Sequence, residues 1–271
     1  MSVQAAPPLE KPHKPPSAAL YEVVVPLLAT AGGFLLWEGV CRAFKVPSYL
    51  VPAPSEIWAE TTAIWPTVLG HSLATLKTVM LGFVLSIAIS LPLAVLLTSS
   101  PAIASAIYPF LVWTQSIPKV ALAPILVVVL GSNELPRVVI TVLVAFFPLV
   151  ISSATGLMSV PPELIELSRA CRASKWSELL RIRLPYAIPF IFAGLKVAIS
   201  LAVVGAVVAE FVNADAGLGF LIVTSTAFFK VPLAFGALII LSIMGVVLFQ
   251  IVVIVERVFF PWSTSNATAA A

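Results

Sequence analysis

Glu163, Glu166, Arg169 and Arg172 recur at every third residue inside the longest charged stretch of the chain, SVPPELIELSRACRASKWSELLRIRLPYAIP over 159–189. In a helix that spacing lines up two carboxylates and two guanidiniums as one stripe. The acidic pair lies near the helix start and the basic pair near its end, as the helix dipole favours. Ser159 is placed to cap this helix and Pro161 to occupy its first turn. Leu164, Leu167 and Cys171 fall on another face. A second, shorter helix is expected from Ser174, with Trp176, Leu179 and Leu180 as its apolar side, before Leu184–Pro185 turns back toward apolar sequence. The chemistry open to this hairpin is recognition. It could lie on anionic headgroups, or it could dock a partner. Lipid alone would favour basic residues, so the mixture of signs points to docking.

The other groups that could do chemistry are charges set within apolar runs. Lys196 lies about nine residues, or ~13 Å, into one such run. Lys119 sits beside Pro118, and Glu210 closes the run that holds Lys196. Intramembrane ionisable residues are functional candidates, so Lys119, Lys196 and Glu210 are candidates for lining a path. The competing role for each lysine is a structural partner within a bundle, and Glu210 could equally meet a partner protein outside. Bond-breaking chemistry has no such footing. His71 is the sole histidine near an apolar run, and His13 is a solvent-facing bystander. There is no H-E-x-x-H, no G-x-x-x-x-G-K-[ST] and no Gly-Lys pair. Cys41 and Cys171 match no metal spacing and are expected on opposite sides of a membrane, unpaired. No metal or cofactor is expected.

The elements that must carry these residues follow from composition. The 271 residues are 60% hydrophobic and 10% charged, against ~25% charged in soluble domains, and mean hydropathy is +1.10. That much apolar surface requires lipid. Six spans are expected, over 23–43, 72–98, 104–131, 137–157, 187–210 and 232–256, making an all-α polytopic bundle in one membrane domain, residues 22–260. The third is interrupted by Pro118 and Pro124. It is either one kinked crossing or a surface helix followed by a short span, and it belongs at the centre of the fold, because broken backbone needs cover. Ser55 is expected to cap a short helix after VPAP, Glu38 to pair with Arg42, and 211–231 to be an external loop. Gly82, Gly194, Ala88, Ala94, Ala193 and Ala198 suit close helix packing. Residues 1–21 read as a disordered arm, 159–186 as the loop between spans four and five, and 261–271 as a polar tail. Both termini then share a side. Eight Lys and Arg lie on that side against four on the other, which places the N-terminus in the cytoplasm. The net charge of +3 comes from such loops, and no nucleic-acid surface is present.

Residues 166–189 resemble the signature of inner-membrane permease subunits of binding-protein-dependent ABC importers. The pattern is E-A-A, three residues, G, then nine to I-x-L-P. Glu166, Arg172, Ile182, Leu184 and Pro185 stand at those positions, and Ala173–Ser174 match its continuation. VPAPSEIW, SIPKVALAP, GLK at 194–196, AEF at 209–211 and GLGFLI at 217–222 are similar to the nitrate, sulfonate and taurine branch. The sequence departs where E-A-A is Glu166-Leu167-Ser168 and where the glycine is Arg172. Arginine in a left-handed turn costs about 1–2 kcal/mol, so the turn is expected to shift or the helix to lengthen by one residue.

The resemblance implies a type I importer permease in a bacterial plasma membrane, with no catalytic site of its own. It implies two ATP-hydrolysing partner subunits, a second permease copy, and a periplasmic or lipoprotein solute-binding protein. Glu163, Glu166, Ser168, Arg169, Arg172, Ala173, Ser174 and Trp176 would form the ATPase-coupling surface. The two lysines incline the solute toward a small anion such as a sulfonate, taurine or nitrate. An ion-coupled carrier would need acidic residues deep in the membrane and repeats, and neither is evident.

Overall fold

The computed structural model describes residues 16–212 and 214–263. Its helices are α1 (Pro16–Ala43), α2 (Pro54–Ala63), α3 (Trp65–Ser99), α4 (Pro101–Ser116), α5 (Ala123–Leu130), α6 (Glu134–Met158), α7 (Pro162–Ala170), α8 (Lys175–Glu178), α9 (Leu184–Val212), α10 (Leu218–Ala227) and α11 (Val231–Phe259). A 3₁₀ turn, Lys119–Leu122, leads into α5, and a π-helical turn, Leu179–Arg183, leads into α9. No strand occurs among the described residues. Proline stands in the first turn of α2, α3, α4, α5, α7 and α11. There its fixed φ helps and its missing donor costs nothing.

α3, α6 and α9 pack most closely. Val79, Phe83, Ala145, Leu149, Phe192, Ile199 and Ala202 form the main core with Leu248 and Val252 of α11. With lipid outside, helices associate by close packing rather than by escape from water. Gly82 accordingly has no room for a Cβ against Thr141, and a Cβ on Gly194 would lie 2.8 Å from Ser152 Cβ. Ala94 and Ala198 are fully buried. Ala88 and Ala193 are exposed, so they do not serve packing within the chain.

The interrupted third stretch is sharply broken in its middle. α4 and the 119–130 segment meet at 81°. The C-terminal end of α3 lies with the hairpin, since Val95, Thr98 and Ser99 share a cleft with Arg169 and Trp176. α6 begins at the opposite end, where Glu134 meets Lys77. The intervening segment must therefore carry the chain from one end to the other. Pro118 terminates the first half, and Pro124 sits harmlessly in the first turn of α5. Five unbroken helices are long and apolar enough to cross a membrane, and with this pair taken as one span they make six. Ala123 and Leu126 pack on Ile140 and Ala209, but Ile117, Val120, Ile125, Val128 and Val129 are exposed on the isolated chain. The expectation that this stretch is enclosed therefore fails for the single chain: its cover must come from outside it.

Four other expectations need correction. Helix α1 already begins at Pro16, so the proposed arm 1–21 is too long; residues 1–15, with His13, Lys11 and Lys14, lie outside the described residues. The tail does not begin at 261: Ser263 is buried and donates to Glu256 at 2.8 Å, while 264–271 lie outside the described residues. Residues 211–231 are no simple loop. They contain α10, too short to span but apolar enough to bury Leu218 and Leu221 against Val68, Leu233 and Ala237. Ser55 is not an N-cap, because α2 starts one residue earlier at Pro54. Ser55 instead binds Glu38 through its amide at 3.0 Å and hydroxyl at 2.7 Å, beside the expected Glu38–Arg42 pair at 2.6 Å.

Candidate functional site

The charged hairpin stands clear of the bundle. Glu163, Glu166, Arg169, Arg172, Ala173 and Ser174 are all exposed, as are Leu164, Leu167 and Trp176. None of Glu163, Glu166, Arg169 or Arg172 makes an ion pair among the described residues. Charged groups and large apolar side chains thus share one free surface. Ser168 is the exception: it is 5% exposed and faces the body of the chain. Ser174 accepts from the Ser177 amide at 3.2 Å and caps α8. Ser159 caps nothing, because its hydroxyl donates back to Gly156 O and α7 starts only at Pro162. A Pro161–Pro162 pair cannot extend the helix upstream, since proline disfavours helical backbone in the residue before it.

Arg172 takes the left-handed conformation itself, with φ 52°. The turn has neither shifted nor lengthened, contrary to expectation. Ala173 N donates to Ser168 O at 3.0 Å and Arg172 N to Arg169 O at 2.9 Å, the two bonds of a Schellman close. Those bonds satisfy carbonyls at the end of α7 and hold arginine in a conformation that glycine adopts freely. Arg172→Gly is therefore expected to stabilise the hairpin by about 1 kcal/mol, read as slower proteolysis across 170–176 with unchanged helicity. Faster cleavage would contradict this account of the turn.

The hairpin is joined to α9 through a π-helical turn clamped by Glu178 and Arg183, which meet at 2.7 Å. A cleft of about 700 Å³ opens between this joint and the α3–α4 corner, lined by Arg169, Lys175, Trp176 and Arg183. π-turns are frequent where a helix must change its register.

The three candidate path residues are engaged internally. Lys119 Nζ lies 4.6 Å from the centroid of the Phe147 ring, a cation–π contact. Lys196 Nζ lies 2.6 Å from Glu256 Oε2, tying α9 to α11. Glu210 is 2% exposed. It accepts from Thr75 Oγ1 at 2.9 and 3.0 Å and from Gly219 N at 2.8 Å. Thr75 Oγ1 in turn accepts from Leu218 N at 2.7 Å, and His71 Nδ1 accepts from Gly217 N at 3.1 Å. Gly217 has φ 124° and no room for a Cβ beside the Glu210 carboxylate. Glu210 therefore staples α3, α9 and α10 together at the end opposite the hairpin.

Sequence reasoning missed Glu256, Thr75 and Arg137. Glu256 could have been sought as the opposite charge to Lys196. Arg137 reads in the sequence as one of the four Lys and Arg on the outer side, yet its side chain is 9% exposed. Cys41 and Cys171 are both free thiols. No metal-ligating cluster occurs among the described residues.

Residues 82–263 match the family model for the binding-protein-dependent transport system inner membrane component. The chain is 33% identical over 243 residues to the formylaminopyrimidine transport permease protein ThiX of Halalkalibacterium halodurans, covering 89% of this chain and 97% of that protein. It is 25% identical over 258 residues to the putative aliphatic sulfonates transport permease protein SsuC of Bacillus subtilis, covering 94% of each. An inward-facing structure of the MetNI methionine ABC transporter has a chain that superposes with a TM-score of 0.64 at 21% identity, over 72% of this chain and 96% of that one.

Proposed function

Because this chain belongs to the binding-protein-dependent transport system inner membrane component family, and is thus a permease subunit of an ABC importer, we propose that it builds a solute path with a second copy of itself. Two separate ATPase subunits drive that path through the α7–α8 hairpin. The observation that carries this reading is the hairpin's free surface: unpaired charges alternate with exposed Leu164, Leu167 and Trp176, a composition suited to a protein groove. Glu163, Glu166, Arg169, Arg172, Ala173, Ser174 and Trp176 are the contact residues, and Ser168 supports them from inside. The π-turn passes the motion to α9, so closure of the ATPases moves spans as rigid bodies. The exposed edge formed by Ile117, Val120, Ile125 and Val128 is the face for the second copy, which would give the broken crossing its cover.

In this reading the hairpin, the N-terminus and the C-terminus are cytoplasmic in a bacterial plasma membrane, and α10 faces the delivery side. A soluble or lipid-anchored binding protein presents the solute there. We place a small anion such as a sulfonate, taurine or nitrate first, with support from the sulfonate permease relative. The formylaminopyrimidine relative is the more similar of the two and supports a second reading, a neutral heterocyclic precursor. Lys119 and Lys196 do not decide between them, being engaged by Phe147 and Glu256.

Uptake into proteoliposomes is expected to require co-reconstituted ATPase subunits and internal ATP, and to survive collapse of the proton gradient. Uptake that follows the gradient and ignores ATP would refute the importer reading. Thermal protection of the cognate binding protein by taurine and alkanesulfonates, against formylaminopyrimidine, separates the two solute classes.

A further inference from the structure

A polar cup of about 740 Å³ opens at the end of the molecule opposite the hairpin, between α3, the start of α6 and residues 214–216. Four charges line it: Lys77, Glu134, Arg137 and Asp215. Lys77 and Glu134 satisfy each other, with Nζ 2.8 Å from both carboxylate oxygens. Both are more than half exposed and form the rim. Arg137 is the most buried of the four.

Its guanidinium is under-used. Of five N–H donors, one hydrogen-bonds among the described residues, from the Nη1 nitrogen to Ala216 O at 3.3 Å. Nε is buried without a partner. The Nη2 nitrogen is 3.8 Å from Asp215 Oδ1, beyond hydrogen-bonding range, and Asp215 is 95% exposed and so weakly held. Glu210 lies within electrostatic reach of Arg137, but its oxygens are held by Thr75 and Gly219. A buried cation with idle donors is costly unless something fills them. The planar fork of arginine matches an oxyanion through two parallel bonds.

We propose that this cup is an oxyanion-binding site, in which Arg137 receives the carboxylate, sulfonate or phosphate group of the solute as it enters the permease. Asp215 is the loose gate that the incoming group displaces. The inference rests on the importer reading in one respect, that this end faces the delivery side.

The test uses the full chain assembled with its ATPase subunits in lipid nanodiscs. Sodium sulfate, phosphate and acetate are titrated against sodium chloride at constant ionic strength, and the thermal unfolding midpoint is followed. An oxyanion at ten times its Kd is expected to raise the midpoint by about 3–5 °C. Arg137→Gln should abolish the rise and Arg137→Lys should weaken it. If Arg137→Gln does not assemble, Asp215→Ala decides, since it leaves the buried side chain in place. Removing the competing carboxylate should lower the concentration of half-effect about tenfold. The proposal is overturned by an equal rise in Arg137→Gln and the unaltered chain, by no oxyanion effect in either the unaltered chain or Asp215→Ala, or by protection from the binding protein alone, which would make Arg137 a docking residue. ATP-dependent uptake in that same assembly would leave the importer reading standing when the cup fails.

Discussion

Glu210→Ala is expected to lower the thermal midpoint of the purified chain by about 10 °C or more and to cut the yield of monodisperse protein severely. The carboxylate is 2% exposed and joins three helices through Thr75 and the amide of Gly219. Alanine would orphan a buried hydroxyl and a buried amide, each at about 1–3 kcal/mol, and would leave a void beside Gly217. Glu210 and Thr75 are so fully buried that water has little access to make good those bonds. Gln offers one acceptor but presents an amino group to donors, so Glu210→Gln should fall between alanine and the native residue. The readings are size-exclusion profile and unfolding midpoint. An alanine variant as stable as the native chain would show that α10 is held by apolar packing alone.

This staple also marks where the sequence ceases to be readable. Apolar runs locate the six crossings, because a 25–35-residue helix in lipid needs little else. The helices run longer than these apolar stretches, because flanking residues such as Trp65–His71 stay helical. Pro118 and Pro124 located the break in the third crossing, and only the positions of Lys77–Glu134 and of the α3 terminus showed that it crosses. The hairpin was legible from its charge period. Contacts across long separations were not: Thr75 and Glu210 are 135 positions apart, and Arg137 and Ala216 are 79 apart. No local pattern distinguishes Arg137, buried in the wall of a cup, from an arginine at a loop end. Arg172 illustrates the converse. Propensity argued that the turn must move, but two hydrogen bonds across it outweigh a penalty of about 1–2 kcal/mol.

Glu166→Lys is expected to reduce ATP-driven uptake by at least about thirtyfold while leaving the chain folded. The two halves of that expectation have separate causes. Glu166 is exposed and makes no ion pair among the described residues, so reversing its charge sets a repulsion with Arg169 against an attraction to Glu163, each about 0.3 kcal/mol and largely cancelling. The midpoint should move by no more than about 1 °C. In the proposed ATPase groove the same change would set a cation where an anion is received. An unpaired charge in a closed interface costs about 2–5 kcal/mol, which corresponds to thirtyfold or more. If docking is lost, the ATPase no longer co-purifies. If docking survives in altered register, hydrolysis continues without transport, because α7 no longer presents a rigid lever to the π-turn. Glu166→Gln removes the attraction without adding repulsion and should retain part of the uptake. Native uptake by Glu166→Lys would show that the charged stripe at Glu166 does not dock the ATPase.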